Sequence, residues 1–375
     1  MEKALVVGAN TRPVACSLKK LGYTVYSVDY FCTKDLMQCS DYRNCVLSQK
    51  PYKSCGRFVQ GFNSVALRDL AKDFITETDF IICTSGASPE NFPKNKIIGN
   101  KDVGSVEDKY KLYKKLEGKF KLPETHIVHD LNEAYEIASE FKDKKFLLKP
   151  LSGSGGIGIR NLEDRDITFP LNEAILQEIV EGESLSASVL SGGHEARTIL
   201  TSRQIIGRGL GQIEPYGYCG NIAPSTDDLG TSEIAEGVVN SLNLVGSNGV
   251  DMIRSGDDIY VIEVNPRFQG TFECAEAALG INMVEAHIKA CQGELLEVST
   301  PKKFAVKMIV FAKERSIVGN LDFEGVYDIP HKNVIIEKGE PVATVVTSNK
   351  VLEDAVYSAK MIVGKVYKAL RSFSL

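Results

Sequence analysis

The chain has 375 residues, 43% hydrophobic and 25% charged, with a net charge of −5. That length supports two or three domains with sizeable cores. The acidic balance excludes a constitutive nucleic-acid binder, which needs a basic excess over the phosphates, and no apolar run is long enough to span a membrane.

Residues 4–7 are apolar but too few for a signal peptide, so a soluble, cytoplasmic protein is expected. Nine cysteines, an odd number and scattered, argue against a disulfide framework. Cys32, Cys39, Cys45 and Cys55 gather in one segment without a Cys-x-x-Cys pair. Buried or surface thiols are therefore expected ahead of a metal site, with a redox role left open.

In chain order, residues 3–8 read as a buried strand, 8–13 as a turn and the following stretch as a helix ending near Gly22. A second strand, 23–28, closes at Asp29, which makes the opening Rossmann-like. Asn10 and Pro13 stand where a pyrophosphate loop wants glycines, so no dinucleotide site is read there. Arg12, at a helix start, is a candidate contact for an acidic substrate. Residues 65–75 suit a helix, and strand 80–83 runs into a loop, 84–88, that contains Ser85. Both loops follow parallel strands and are expected to line one crevice.

Helical spacing returns over 108–116 and over 133–141. Strand 146–150 carries Lys149 directly before Ser152-Gly153-Ser154-Gly155-Gly156-Ile157-Gly158. Glycines there let backbone amides approach a phosphate, and with Lys149 adjacent a phosphate lid is favoured over a plain hairpin tip. Strand 175–180, with Gln177, Glu178, Ile179 and Val180, can offer edge groups to an adenine between apolar neighbours. Strands follow over 187–190 and 196–201, then a loop at 217–224 that includes Asn221, and a helix at 232–242.

Residues 249–270 read as a hairpin with a polar turn. Glu263 and Asn265 are two apart on the second strand and share a face, and a paired Asp251 on the first can join them. Three hard oxygen donors without His or Cys suit magnesium, or manganese, which also takes substrate phosphate oxygens. Arg267 follows two residues on, placed to neutralise an anion. A helix over 271–291, strands at 304–312, 334–337 and 342–347, and a helix over 352–370 complete the chain. This tail has no site of its own and is expected only to buttress the domain before it.

The words Asp108-Lys109, Lys149 before the glycine run, Gln177–Val180, Asp251 and Glu263-Val-Asn-Pro-Arg267, in that order, resemble the ATP-grasp superfamily. The resemblance implies an α/β (α+β) fold: a Rossmann-like domain over 1–100, a first ATP-grasp part with its lid over 101–185, a second part with the magnesium site over 186–300, and C-terminal strands and helix over 301–375. It implies that Lys109, Lys149, Ser154, Gly155 and Gly156 meet phosphates, that Gln177–Val180 meet adenine, and that Asp251, Glu263 and Asn265 hold the metal. Arg267 and Lys149 are the implied catalytic residues. Family members place a ribose-binding glutamate where Ser184 stands, with Glu183 beside it. Biotin carboxylases place a basic glutamate where Thr271 stands. The implied activity is an ATP-dependent carboxylate-amine ligase working through an acyl phosphate on small metabolites or amino acids. Arg12, Ser85 and Asn221 are its candidate substrate contacts, and a homodimer is expected. An ATP-dependent carboxylase working through carboxyphosphate, and a non-catalytic nucleotide-binding regulator, are the alternatives.

Overall fold

The structure, a computed structural model, describes residues 1–55, 64–153, 155–164, 167, 173–207, 209–297 and 300–373, and the elements below are those of the described residues. The first are β1 (Lys3–Gly8), α1 (Arg12–Lys20), β2 (Thr24–Asp29), α2 (Leu36–Cys39), β3 (Tyr42–Cys45), α3 (Ser64–Glu77) and β4 (Phe80–Cys83). Their strands form a parallel sheet of order β3-β2-β1-β4, the Rossmann-type arrangement. It is buried on both faces at β1, which is apolar from Ala4 to Val7: Leu5 and Val7 pack towards α3, while Ala4 and Val6 pack with α1.

The cysteine expectation is corrected here. Cys16 is bonded to Cys39 and Cys32 to Cys45, across separations of 23 and 13 residues. The sequence hid this because the parallel topology, not local spacing, brings α1 against α2 and the segment after β2 against β3.

Next come α4 (Gly104–Glu107) and α5 (Lys109–Leu116). Asp108 caps α5 by accepting the amides of Tyr110 and Lys111, at 3.1 and 2.9 Å. Then β5 (Thr125–Val128), α6 (Leu131–Glu140), β6 (Phe146–Lys149), β7 (Arg160–Asn161) and β8 (Ala174–Glu178) build an antiparallel sheet of order β5-β8-β6-β7, with α6 on one face.

The remaining chain is dominated by a second sheet. Its elements are β9 (Glu183–Gly192), β10 (Ala196–Ile206), β11 (Tyr218–Ala223), α7 (Thr231–Ser241), β12 (Val245–Ser255), β13 (Asp258–Asn265), α8 (Phe272–Leu279), α9 (Met283–Cys291) and β14 (Phe304–Phe311). After them come β15 (Ser316–Val318), β16 (Val326–Tyr327), β17 (Ile335–Ile336), β18 (Pro341–Asn349), α10 (Leu352–Ala369) and β19 (Leu370–Ser372). Eight strands run in the order β13-β12-β9-β10-β11-β14-β18-β16. Helices α8 and α9 share a core with α1 and the N-terminal sheet, which fixes that sheet against the large one. No helix is long and apolar enough to cross a membrane.

Three expectations change. Residues 218–223 are a strand, not a loop, because β10 and β14 pair with them on both sides. Gly220 makes this possible: at φ +141° it lies so close to the Lys307 carbonyl that a Cβ would collide with it. The helix expected over 271–291 is two, broken at Gly280 in the left-handed region, φ +72°, with Asn282 capping the second. The tail does more than buttress, since β14, β18 and β16 continue the large sheet.

At the junction of these parts sits a buried ion cluster. Arg12, 4% exposed, meets Glu273 at 2.7 Å, Asp328 at 2.9 Å and Asp35 at 3.4 Å. Burial opposes the guanidinium charge, but Asp328 and Glu273 outweigh it and its pKa rises. Removing one member of such a cluster strands the others. Arg12→Met is expected to cost roughly 3–5 kcal/mol of unfolding free energy, measured by urea denaturation, with part recovered in Arg12→Met/Glu273→Gln. Alkylation of the unfolded chain without reductant is expected to modify the five cysteines outside the two bonds, and reduction to lower the melting temperature.

Candidate active site

A cavity of about 680 Å³ lies between the N-terminal sheet, the small antiparallel sheet and one face of the large sheet. One end is apolar. Leu147, Ile159, Ile179, Val180, Met252, Ile253 and Ile262 line it beside Gln177 and Glu178. Strand β8, running between β5 and β6, delivers Gln177 and Glu178, and the chain directly after it carries Ile179 and Val180 along the cavity.

Lys149 ends β6 at the inner wall, 8% exposed. Its Nζ donates to Gln177 Oε1 at 2.5 Å, and Gln177 in turn donates to Thr125 Oγ1 at 3.0 Å. Burial first, then the neighbouring Lys109 charge, pull the Lys149 ammonium down from 10.5 to about 8. Lys109 donates to the Gly153 carbonyl at 3.2 Å and lies 3.6 Å from Glu263. The glycine run thus reaches the carboxylates through Lys109. Gly155 and Gly156 line the cavity; Ser154, placed with them in sequence, lies outside the described residues. Gly156 is pressed against the Tyr216 carbonyl, where any Cβ would clash.

The carboxylates face each other across the hairpin, Asp251 opposite Glu263 in register. Asp251 is held tightly. Its Oδ1 accepts from Ser186 Oγ at 2.6 Å and Gln204 Nε2 at 3.0 Å, and its Oδ2 accepts from Asn265 Nδ2 at 3.1 Å. Burial, then the Glu263 charge, raise Asp251 to about 7. A deeply buried carboxylate beside a second, part-buried one calls for a cation. The donors fit a magnesium ion: two carboxylates and the Asn265 amide oxygen, all hard. Among the described residues no cluster of three or more His, Cys, Asp or Glu is placed to hold a metal, so the amide is needed to complete this set. Asn265 Oδ1 accepts from Arg267 Nη1 at 2.7 Å, and Arg267 also lies 3.8 Å from Glu107.

Other sequence-derived contacts divide. Ser184, Ser85 and Asn221 line the cavity. Glu183 does not; it is paired with Arg254 and lies 3.8 Å from Arg203, on the far side of its strand from Ser184. Arg12 does not either, because three carboxylates hold its guanidinium in the cluster described above. Ser186, Gln204, Tyr218 and Lys307 line the cavity and were not singled out. Ser184, Ser186 and Ser188 alternate with apolar residues, and that period-two pattern was the available signal for a polar inner face.

Residues 106–271 match the model of an ATP-grasp domain. An uncharacterised protein of Methanocaldococcus jannaschii is 34% identical over 98% of this chain and 91% of its own length. The chain belongs to the ATP-grasp family. A tyramine–L-glutamate ligase of Methanocaldococcus fervens is 30% identical over 54% of this chain and 60% of its own length. The N5-carboxyaminoimidazole ribonucleotide synthetase of Thermotoga maritima superposes over all of both chains with a TM-score of 0.69 at 18% identity, which shows the shared fold. The expectation of an ATP-grasp ligase forming a carbon–nitrogen bond agrees with the ligase among these relatives.

Lys149 supplies a test. Its depressed pKa means the empty fold binds fewer protons than the unfolded chain between about pH 8 and 10.5, so stability gained from this group rises over that window. Nucleotide phosphates favour the charged form, so affinity for an ATP analogue is expected to fall as pH rises through about 8. Lys149→Met is expected to weaken binding about tenfold or more, to lose that pH dependence, and to leave the empty protein at least as stable. Calorimetric titration and thermal melts across pH check all three.

Proposed function

We propose that this chain is an ATP-dependent carboxylate-amine ligase acting on small metabolites or amino acids. The observation that carries the reading is a single cavity in which an apolar slot, two lysines, a glycine cover and a carboxylate pair lie in sequence, with the loops after β1 and β4 at its other end. Asn10, Thr84 and Ser85 come from those loops. The relative named as a tyramine–L-glutamate ligase joins an amine to an acid.

In this reading the base occupies the slot along Gln177–Val180, and the phosphates run past Lys149 and Lys109 under Gly155 and Gly156. A carboxylate oxygen of the acid attacks the terminal phosphorus, the bond to ADP breaks, and an acyl phosphate forms. The amine then attacks the acyl carbon, phosphate leaves with the bonding pair, and the amine's proton passes to phosphate or solvent. Asp251, Glu263 and Asn265 would hold magnesium, which when bound offsets charge on the phosphates. Lys149, Lys109 and Arg267 offset the rest as the phosphoryl group moves. The glycine cover excludes water, which would otherwise hydrolyse the acyl phosphate.

Thr271 weighs against the carboxylase alternative. Its hydroxyl is buried and bonded to Ser188 Oγ at 2.6 Å, so the position holds no base.

With magnesium, ATP and pooled acids and amines, formation of ADP and phosphate is expected to require both an acid and an amine. Turnover driven by bicarbonate without an amine would favour the carboxylase instead. Glu263→Gln is expected to lower kcat about 10²-fold or more in a protein with unchanged melting behaviour; undiminished turnover would remove the carboxylate pair from the reaction.

A further inference from the structure

The cavity face of the large sheet carries a polar row that extends well past the carboxylate pair. In register, Glu263 on β13 faces Asp251 on β12, Asp251 faces Ser186 on β9, and Ser186 faces Ser202 on β10. Two residues along the same face, Gln204 faces Asn221 on β11, and Asn221 faces Lys307 on β14. Side-chain bonds tie the row together. Gln204 reaches Asp251 at 3.0 Å, and Asn221 Nδ2 donates to Ser202 Oγ at 2.9 Å. From β12 to β14 is four strand spacings, about 19 Å along the sheet. Transfer of a phosphoryl group to a neighbouring oxygen needs reacting atoms only about 3–3.5 Å apart, so the row is far longer than the chemistry requires.

Lys307 ends it. The residue is 7% exposed yet lines the cavity, and its Nζ lies 2.8 Å from Glu273 Oε2. Glu273 is shared between two cations, since Arg12 holds its other carboxylate oxygen at 2.7 Å. Asp35 accepts the amides of Asp328 and Ile329, and Asp328 accepts from Arg12. Of the five charged side chains in this cluster, Lys307 alone lines the cavity. An ammonium has three donors, and those not turned to Glu273 are available to a ligand.

We propose that Lys307 is a specificity-determining residue that anchors a carboxylate of the co-substrate at the end of the cavity remote from Asp251 and Glu263. The inference rests on the ligase reading above and narrows it: one of the two joined molecules carries a carboxylate that is not consumed, as an amino acid or a dicarboxylic acid does. A monoanion fits better than a phosphate ester. A single ammonium already shared with Glu273, with the Asp328 charge acting on it as well, meets one negative charge and is a poor match for two. Lys307 lies too far along the sheet to touch the transferred phosphoryl group and is not a catalytic residue.

The test uses the full chain with magnesium and a non-hydrolysable ATP analogue. Binding of succinate, glutarate and L-glutamate is compared with that of butyrate, L-glutamine and O-phosphoserine, by thermal shift and calorimetry, in the unmodified protein, Lys307→Met and Lys307→Arg. At least one compound with a free second carboxylate is expected to bind the unmodified protein while its amide or monoacid counterpart does not. Lys307→Met is expected to raise that Kd about tenfold or more while leaving analogue binding unchanged. Equal binding in Lys307→Met, preference for O-phosphoserine, or analogue binding without response to any carboxylate overturns the proposal. Should Lys307→Met fail to fold, Lys307→Arg decides: a longer, forked cation is expected to change the ranking of the acids by chain length, and an unchanged ranking overturns it. Failure of the analogue itself to bind the unmodified protein removes the ligase reading, and this inference with it.

Discussion

The arrangement depends on two carboxylates held face to face inside the protein. Asp251 and Glu263 are fixed by strand register, which an antiparallel hairpin with one buried face cannot slip without turning its whole apolar set outward. Asp251 receives hydrogen bonds from Ser186, Gln204 and Asn265, so it cannot rotate away to relieve the repulsion. Positive charge must come to the pair instead. Lys109 does so from α5 and Arg267 approaches through Asn265, and the pair's remaining demand is what makes the position suited to a cation accompanied by phosphates. The order of the surrounding elements can be understood as supplying the donors and cations this pair requires.

Much of this was legible in the sequence because it is local. The Asp251–Glu263–Asn265 set lies within one hairpin, and Lys149 stands next to its glycine run, so period-two alternation and short spacing were enough to group them. The strands and helices with strong patterns, such as β1, α7 and α10, fall within a few residues of expectation. What could not be read was long-range. Strand β11 looked like a loop because Gly217, Gly220 and Pro224 dominate its local propensity, and only its two neighbours hold it extended. Arg12 looked like a substrate contact because its partners lie hundreds of residues away, in Glu273 and Asp328. The cysteine pairs are hidden for the same reason: residues 23 and 13 apart meet only once the parallel sheet exists.

The ion cluster around Arg12 has a role that its cost makes plain. Burying five charged groups is expensive, and well-packed apolar residues would often serve stability as well. What the cluster provides is position. Arg12 belongs to the helix packed on the N-terminal sheet, Glu273 to the helix after the carboxylate hairpin, Lys307 and Asp328 to the C-terminal extension of the large sheet. Because each ion must find its partner, the three parts can dock in few ways, and the loops carrying Asn10 and Ser85 are thereby set opposite the polar row.

The two ends of the cavity are linked through Tyr218. Its backbone amide donates to the Gly155 carbonyl at 3.2 Å, while its phenol, deeply buried and with a pKa pushed well up by burial, donates to Asn221 Oδ1 and packs on Gly270. Arg160, just beyond the glycine run, is paired with Glu214 at 2.6 Å, on the segment leading to Tyr218. Cover and floor are therefore not independent. A displacement of Gly155 pulls on the strand that carries Asn221, and a ligand pressing on Asn221 acts on the residue to which the cover is bonded. In the ligase proposed above, whose intermediate water would destroy, closure over the phosphates and occupation of the acceptor end would favour one another through these shared contacts.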